Sequence, residues 1–95
     1  MSEKEEYIEK TKAKIDQWNA EIDKMKAKVD EATADSKAEY EKQLKEMREK
    51  RDEAEAKLKE LREAGDDAWS DMKSGFDKAW DSISGAFENA MSRFK

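Results

Sequence analysis

Residues 29–40 read Val-Asp-Glu-Ala-Thr-Ala-Asp-Ser-Lys-Ala-Glu-Tyr, and the fold turns on whether this stretch continues a helix or reverses the chain. Upstream, the apolar positions fall at Ile8, Thr11, Ile15, Trp18, Ile22, Met25, Val29 and Ala32, alternating steps of three and four as a heptad stripe does. Downstream, Tyr40, Leu44, Met47, Arg51, Ala54, Leu58 and Leu61 repeat the pattern with a charged side chain in one core slot. Between the stripes, the steps from Ala32 through Ser36 and Tyr40 to Leu44 are all fours, so the heptad phase slips.

A four-residue insertion is a stutter, which unwinds a supercoil locally and leaves one continuous helix. The alternative is a reversal within Thr33-Ala34-Asp35-Ser36, with Ser36 and Glu39 at capping-box spacing to start a second helix of a hairpin. The junction holds no Gly or Pro, Ala is frequent through it, and the stripe stays on one side in the stutter register. These features favour a single coiled-coil helix over about residues 4–63, extending on the order of 90 Å at 1.5 Å per residue.

Charges interleave around the stripe, with Glu placed before Lys at i,i+4 in Glu6/Lys10, Glu41/Lys45, Glu46/Lys50, Glu53/Lys57 and Glu55/Lys59. Each such pair supports a helix by only about 0.2–0.5 kcal/mol, so their role is helicity and solubility. Arg51 in the stripe reads as a stem along the seam with its head reaching a carboxylate, or as a polar residue that fixes register.

The one breaker is Ala64-Gly65-Asp66-Asp67. Gly65 suits the left-handed position that ends a helix, and Asp66 or Asp67 can cap the next one. The chain therefore divides into a charged heptad segment, 1–64, and a second segment, 65–95, with a helix over about 67–94. All three Gly, two of the three Trp and all three Phe lie in the second segment. Its rows AWSDMKSGFDK from Ala68, AWDSISGAFEN from Ala79 and AMSRFK from Ala90 align in elevens. Eleven residues make three turns, so equivalent positions stay aligned on a nearly straight helix. The apolar face so formed comprises Trp69, Met72, Phe76, Trp80, Ile83, Phe87, Met91 and Phe94. Such a face must be covered. It can fold back antiparallel, setting Trp80 and Phe76 against Leu58, Leu61 and Met47. It can pack between chains, with Gly75, Ala79, Gly85 and Ala86 permitting close approach, or it can lie in a lipid surface. Residues 65–95 carry six acids against four bases, so lipid binding would rest on apolar insertion rather than attraction to anionic headgroups.

Composition agrees with an all-α chain and removes most chemistry. Of 95 residues, 47% are charged and 36% hydrophobic, which leaves little apolar material for a large enclosed core. His and Cys are absent, which removes the usual general base, nucleophile and transition-metal ligands, and no Gly-rich phosphate loop occurs. No enzyme activity, cofactor, metal or small-molecule substrate is expected. Lys10, Lys12, Lys14, Lys24, Lys26 and Lys28 are interspersed with acids and the net charge is −5, so no nucleic-acid partner is expected. The start, Met1-Ser2-Glu3-Lys4-Glu5-Glu6, has no apolar h-region and no window spans a bilayer, which implies a cytoplasmic protein, peripheral to a membrane at most.

Gln17-Trp18-Asn19 in a charged helix, the Gly65-Asp66-Asp67-Ala68-Trp69 turn, Lys73 with Gly75, and the ending Ser92-Arg93-Phe94-Lys95 resemble a group of short bacterial coiled-coil proteins of unassigned function. That resemblance implies a bacterial cytosolic helical protein and no particular activity. The eleven-residue rows are also similar to those of exchangeable apolipoproteins and other lipid-surface helices.

A helix of about 60 residues with one narrow stripe, half covered by a shorter helix, requires self-association. The expected protein is therefore a non-enzymatic scaffold and homo-oligomer. Its seam would comprise Ile8, Ile15, Trp18, Ile22, Met25, Val29, Tyr40, Leu44, Met47, Arg51, Leu58 and Leu61, with the C-terminal helix locking the assembly or attaching it to a lipid surface.

Overall fold

Ala, Leu, Glu, Lys and Met dominate the heptad segment, and such good helix formers yield long helices wherever an apolar stripe can be packed. The computed structural model describes residues 3–93, with Asp66 described by its backbone alone, as three helices: α1 (Glu3–Glu31), α2 (Ala34–Glu63) and α3 (Asp66–Ser92). Phe94 lies outside the described residues.

The continuous helix expected over residues 4–63 is not formed, because the chain reverses at Ala32 and Thr33. A straight rod would leave both heptad stripes bare, whereas the reversal lets them bury one another at the cost of two helical residues. Tertiary packing outweighs local propensity here. Thr33 is extended (φ −71°, ψ 161°) and takes the N-cap position without a side-chain cap bond. Its carbonyl accepts the Ser36 and Lys37 amides at 3.1 and 2.9 Å. Ser36 therefore lies inside α2 and does not cap it.

The second connection has the same form. Gly65 is extended (φ −68°, ψ 164°), and no described residue has positive φ, so the left-handed role expected of Gly65 is not taken. Its carbonyl accepts the Ala68 and Trp69 amides at 3.0 Å each. Asp66 opens α3, and Asp67 follows in the first turn, where the helix dipole favours negative charge.

The helices run up, down and up. Lys4 Nζ donates to the Ala64 carbonyl, joining the start of α1 to the end of α2, and Arg51 Nη1 donates to Asn19 Oδ1 at 3.0 Å midway. The bundle measures 52 × 21 × 18 Å, well short of a straight 60-residue rod. One core runs through all three helices, from Ile15, Ile22 and Val29 on α1 through Leu44, Met47, Ala54 and Leu58 on α2 to Phe76, Ile83, Phe87 and Ala90 on α3. No helix among the described residues is long and apolar enough to cross a membrane.

Candidate interaction surface

The backbones of α1 and α3 approach each other far less than either approaches α2. Aromatic rings span the wider gap. The Trp18 indole on α1 stacks on Trp80 (centroids 4.8 Å, planes 4° apart) and on Phe87 (4.3 Å, 12°). Phe76 stacks beside Trp80 at 6.1 Å. Nearer the start of α1, Tyr7 meets Trp69 and Phe76 edge to face at 5.9 and 5.7 Å. Lys73 Nζ sits 5.2 Å above the Tyr7 ring and 5.7 Å above Trp69, and pairs with Glu3 at 3.9 Å. The eleven-residue rows of α3 therefore place one aromatic per turn or two where α1 can meet it.

Tyr7 donates its hydroxyl to the Asp77 carboxylate. Burial, this hydrogen bond, and the charges of Asp77 and Asp81 together push the phenol above its ordinary value of 10.0.

Nine of the seam residues expected from the heptads, Ile15, Trp18, Ile22, Met25, Val29, Leu44, Met47, Leu58 and Leu61, are buried within this one chain. Ile8 and Tyr40 are partly buried against the same core. Arg51 lies half-buried along the seam, and its guanidinium reaches Asp52 at 3.0 Å as well as Asn19. On α3, Phe76, Ile83 and Phe87 are buried, Trp69, Trp80 and Met91 are partly buried, and Met72 is 37% exposed. The second segment thus folds back along α2, with Phe76, Met72 and Gly75 beside Leu61. Gly75 and Gly85 have open space where a Cβ would stand, so no close approach within the chain uses them.

Three residues that the fold packs or bonds, Tyr7, Asn19 and Gln43, stand outside the apolar stripes read from the sequence. Tyr7 precedes Ile8 by one residue and lies four before Thr11, so the stripe is widened in its first turn, and Thr11 Oγ1 donates back to the Tyr7 carbonyl at 2.9 Å. Asn19 was visible only as part of a resemblance. Gln43 is fully buried because α2 packs on both sides, which widens its buried face beyond one heptad stripe.

An open groove follows the α1–α3 seam. Trp18, Met25 and Met91 line it, with Glu21, Lys24 and Lys28 on the α1 rim, Lys24 paired to Glu21 at 3.9 Å, and Glu88 on the α3 rim. Among the described residues no group of three or more acidic side chains converges to hold a metal ion. Comparison with protein-family models, curated proteins and solved structures returned no match.

Proposed function

We propose that the chain is a non-enzymatic scaffold that pairs with a second copy along the α1–α3 groove. Because α1 and α2 cover each other's stripes, self-association is not needed to bury the heptads; the reading rests instead on the groove. The observation that carries it is the apolar floor of Trp18, Met25 and Met91, set between an α1 rim of Glu21, Lys24 and Lys28, on which Lys24 pairs with Glu21 at 3.9 Å, and Glu88 on the α3 rim. A two-fold axis parallel to the bundle turns α1 of one copy toward α3 of the other at the same height. Lys28 then faces Glu88 of the second copy, twice over, while Lys24 stays paired with Glu21, and this is the self-complementarity of an isologous interface. The rim charges set orientation and encounter rate, and covering the apolar floor supplies affinity. A stable pair buries about 800 Å² on each partner. The 52 × 21 Å side of the bundle is large enough to supply it.

A second reading is favoured by the concentration of Trp and Phe on α3. The helix would leave the bundle and lay this face in a neutral lipid surface, since its charge offers no attraction to anionic headgroups.

Light scattering after size-exclusion chromatography, over a concentration series with and without neutral and anionic vesicles, separates the two. Pairing predicts a discrete dimer that ignores vesicles, is lost in Glu88→Lys, and returns when Lys28→Glu is added. A monomer that moves onto neutral vesicles with blue-shifted Trp emission supports the lipid reading. A monomer indifferent to both sinks the two together.

A further inference from the structure

We infer that the α1–α2 connection is an exchange hinge: opening it fuses α1 and α2 into one helix and lets two copies of the chain trade their α1 segments. The inference goes beyond groove pairing and does not require it.

The connection consists of Ala32 and Thr33 alone, and nothing in its chemistry enforces a reversal. Residues 29–40 contain neither Gly nor Pro, and no described residue has positive φ. Thr33 already has a helical φ of −71°, so its ψ of 161° is the torsion that holds it out of the helix. Its side chain makes no cap hydrogen bond. Straightening would give the Ala34 and Asp35 amides the Asp30 and Glu31 carbonyls as i−4 acceptors.

Charge is divided between the two forms. Asp30 and Glu31 occupy the last turn of α1, where the dipole disfavours acids and Lys28 is the one base. A continuous helix abolishes that end. Against this, Asp35 loses its favourable place in the first turn of α2 and becomes an i,i+4 neighbour of Glu31. With local terms so opposed, chain concentration decides.

Exchange costs no packing in principle. Two straightened helices, antiparallel about a two-fold near residue 33, would place each α1 against the partner's α2 and α3. Trp18 would then enter the same sandwich, formed by the other chain's rings. The stutter register keeps Val29, Ala32, Ser36 and Tyr40 on one side of the fused helix, so the stripe survives the straightening. Hinges of this kind, short and replaceable by helix, are where domain swapping arises.

The test uses Ala34→Pro and Thr33→Ala in the full chain. Pro at the first position of α2 suits the reversal, since the residue before Pro must be extended and Thr33 is. In the fused helix it clashes with the Asp30 carbonyl and should weaken exchange on the order of a hundredfold. Thr33→Ala favours the fused helix and should strengthen exchange several-fold. Cysteines placed at positions 4 and 64 in this cysteine-free chain and joined by a short bis-maleimide report the topology, because Lys4 and the Ala64 carbonyl adjoin. Exchange predicts covalently linked chain pairs on a denaturing gel after incubation at high concentration, enriched by Thr33→Ala and absent in Ala34→Pro of equal helicity. Links confined to single chains, or paired links that persist unchanged in Ala34→Pro, overturn it. Glu88→Lys separates the two proposals, since it should abolish groove pairing and leave the exchanged links intact.

Discussion

The Trp18 indole on α1 lies parallel to the Trp80 indole on α3, their planes 4° apart and their centroids 4.8 Å apart. Phe87 closes on the same indole at 4.3 Å. Because the α1 and α3 backbones stand apart, these rings, with the Tyr7 contacts nearer the start of α1, tie the first and third helices together. Stacked aromatic pairs contribute about 0.5–1.5 kcal/mol beyond the area they bury.

Trp18→Ala should therefore cost about 3–5 kcal/mol, the range for deleting a large buried aromatic. A chain of this length has roughly 5–14 kcal/mol in all, so the variant should sit near its unfolding threshold. Trp18→Phe, which keeps a ring in the stack, should lose much less. Denaturant titration followed by circular dichroism measures both. A loss below about 1 kcal/mol for Trp18→Ala would show that the stack does not hold α3.

Arg51 and Asn19 should be coupled. Their hydrogen bond, 3.0 Å from Nη1 to Oδ1, crosses from α2 to α1 in a seam made mostly of apolar side chains. A double-mutant cycle with Arg51→Met and Asn19→Leu should give about 1 kcal/mol of interaction energy. Additive single effects would mean that Arg51 is held by Asp52 alone.

The heptads made the helical class and most of the core legible, since stripe positions such as Ile22, Met47 and Leu58 are buried where the spacing puts them. The reversal was legible only as the less favoured alternative, because Ala32 and Thr33 can both continue a helix and what decides is the mutual burial of two distant stripes. Gly65 misled in the opposite way: a glycine signals a turn, and the turn is there, but extended backbone makes it without positive φ. The α1–α3 contact was hidden for a similar reason. The rows of α3 announce an aromatic face, and only the three-dimensional order of helices reveals that Trp18 enters it. Gln43 fell outside every pattern, because a helix packed on two sides buries positions that one stripe cannot mark.

Gln43→Met should stabilise the fold. Gln43 is fully buried, its Nε2 donates to Glu39 at 2.9 Å, and its Oε1 has no partner. Met fills similar volume without an unpaired acceptor, so a gain of about 1 kcal/mol is expected in thermal or denaturant melts. A destabilised variant would mean that the amide is satisfied in solution by an ordered water.

Gly75→Ala and Gly85→Ala should each raise stability by about 0.5–1 kcal/mol, because mid-helix glycines are costly and both sites have room for a methyl group. The melts should be run at low concentration, where the single chain is measured. A gain there with weakened self-association at high concentration would place the glycines in a contact between copies.

Alkaline pH should loosen the α1–α3 seam through Tyr7. Its phenol is raised above 10.0 chiefly by burial, then by the Asp77 hydrogen bond and the charges of Asp77 and Asp81. A group with a raised folded pKa contributes stability that is fully present below its unfolded value and is lost as pH rises through the folded value. Tyr7→Phe keeps the edge contacts with Trp69 and Phe76 but has nothing to ionise. It should be the less stable protein at neutral pH, by about 0.5–1.5 kcal/mol for the lost hydrogen bond. Above pH 10 that difference should shrink, since the wild type alone must then bind a proton to keep the phenol neutral beside Asp77. Lysine deprotonation affects both proteins alike, so the difference between their melting curves from about pH 8 to about pH 12 isolates the phenol. A difference that stays constant across this range would show that Tyr7 ionises equally in the folded and unfolded chains and is not seated against Asp77.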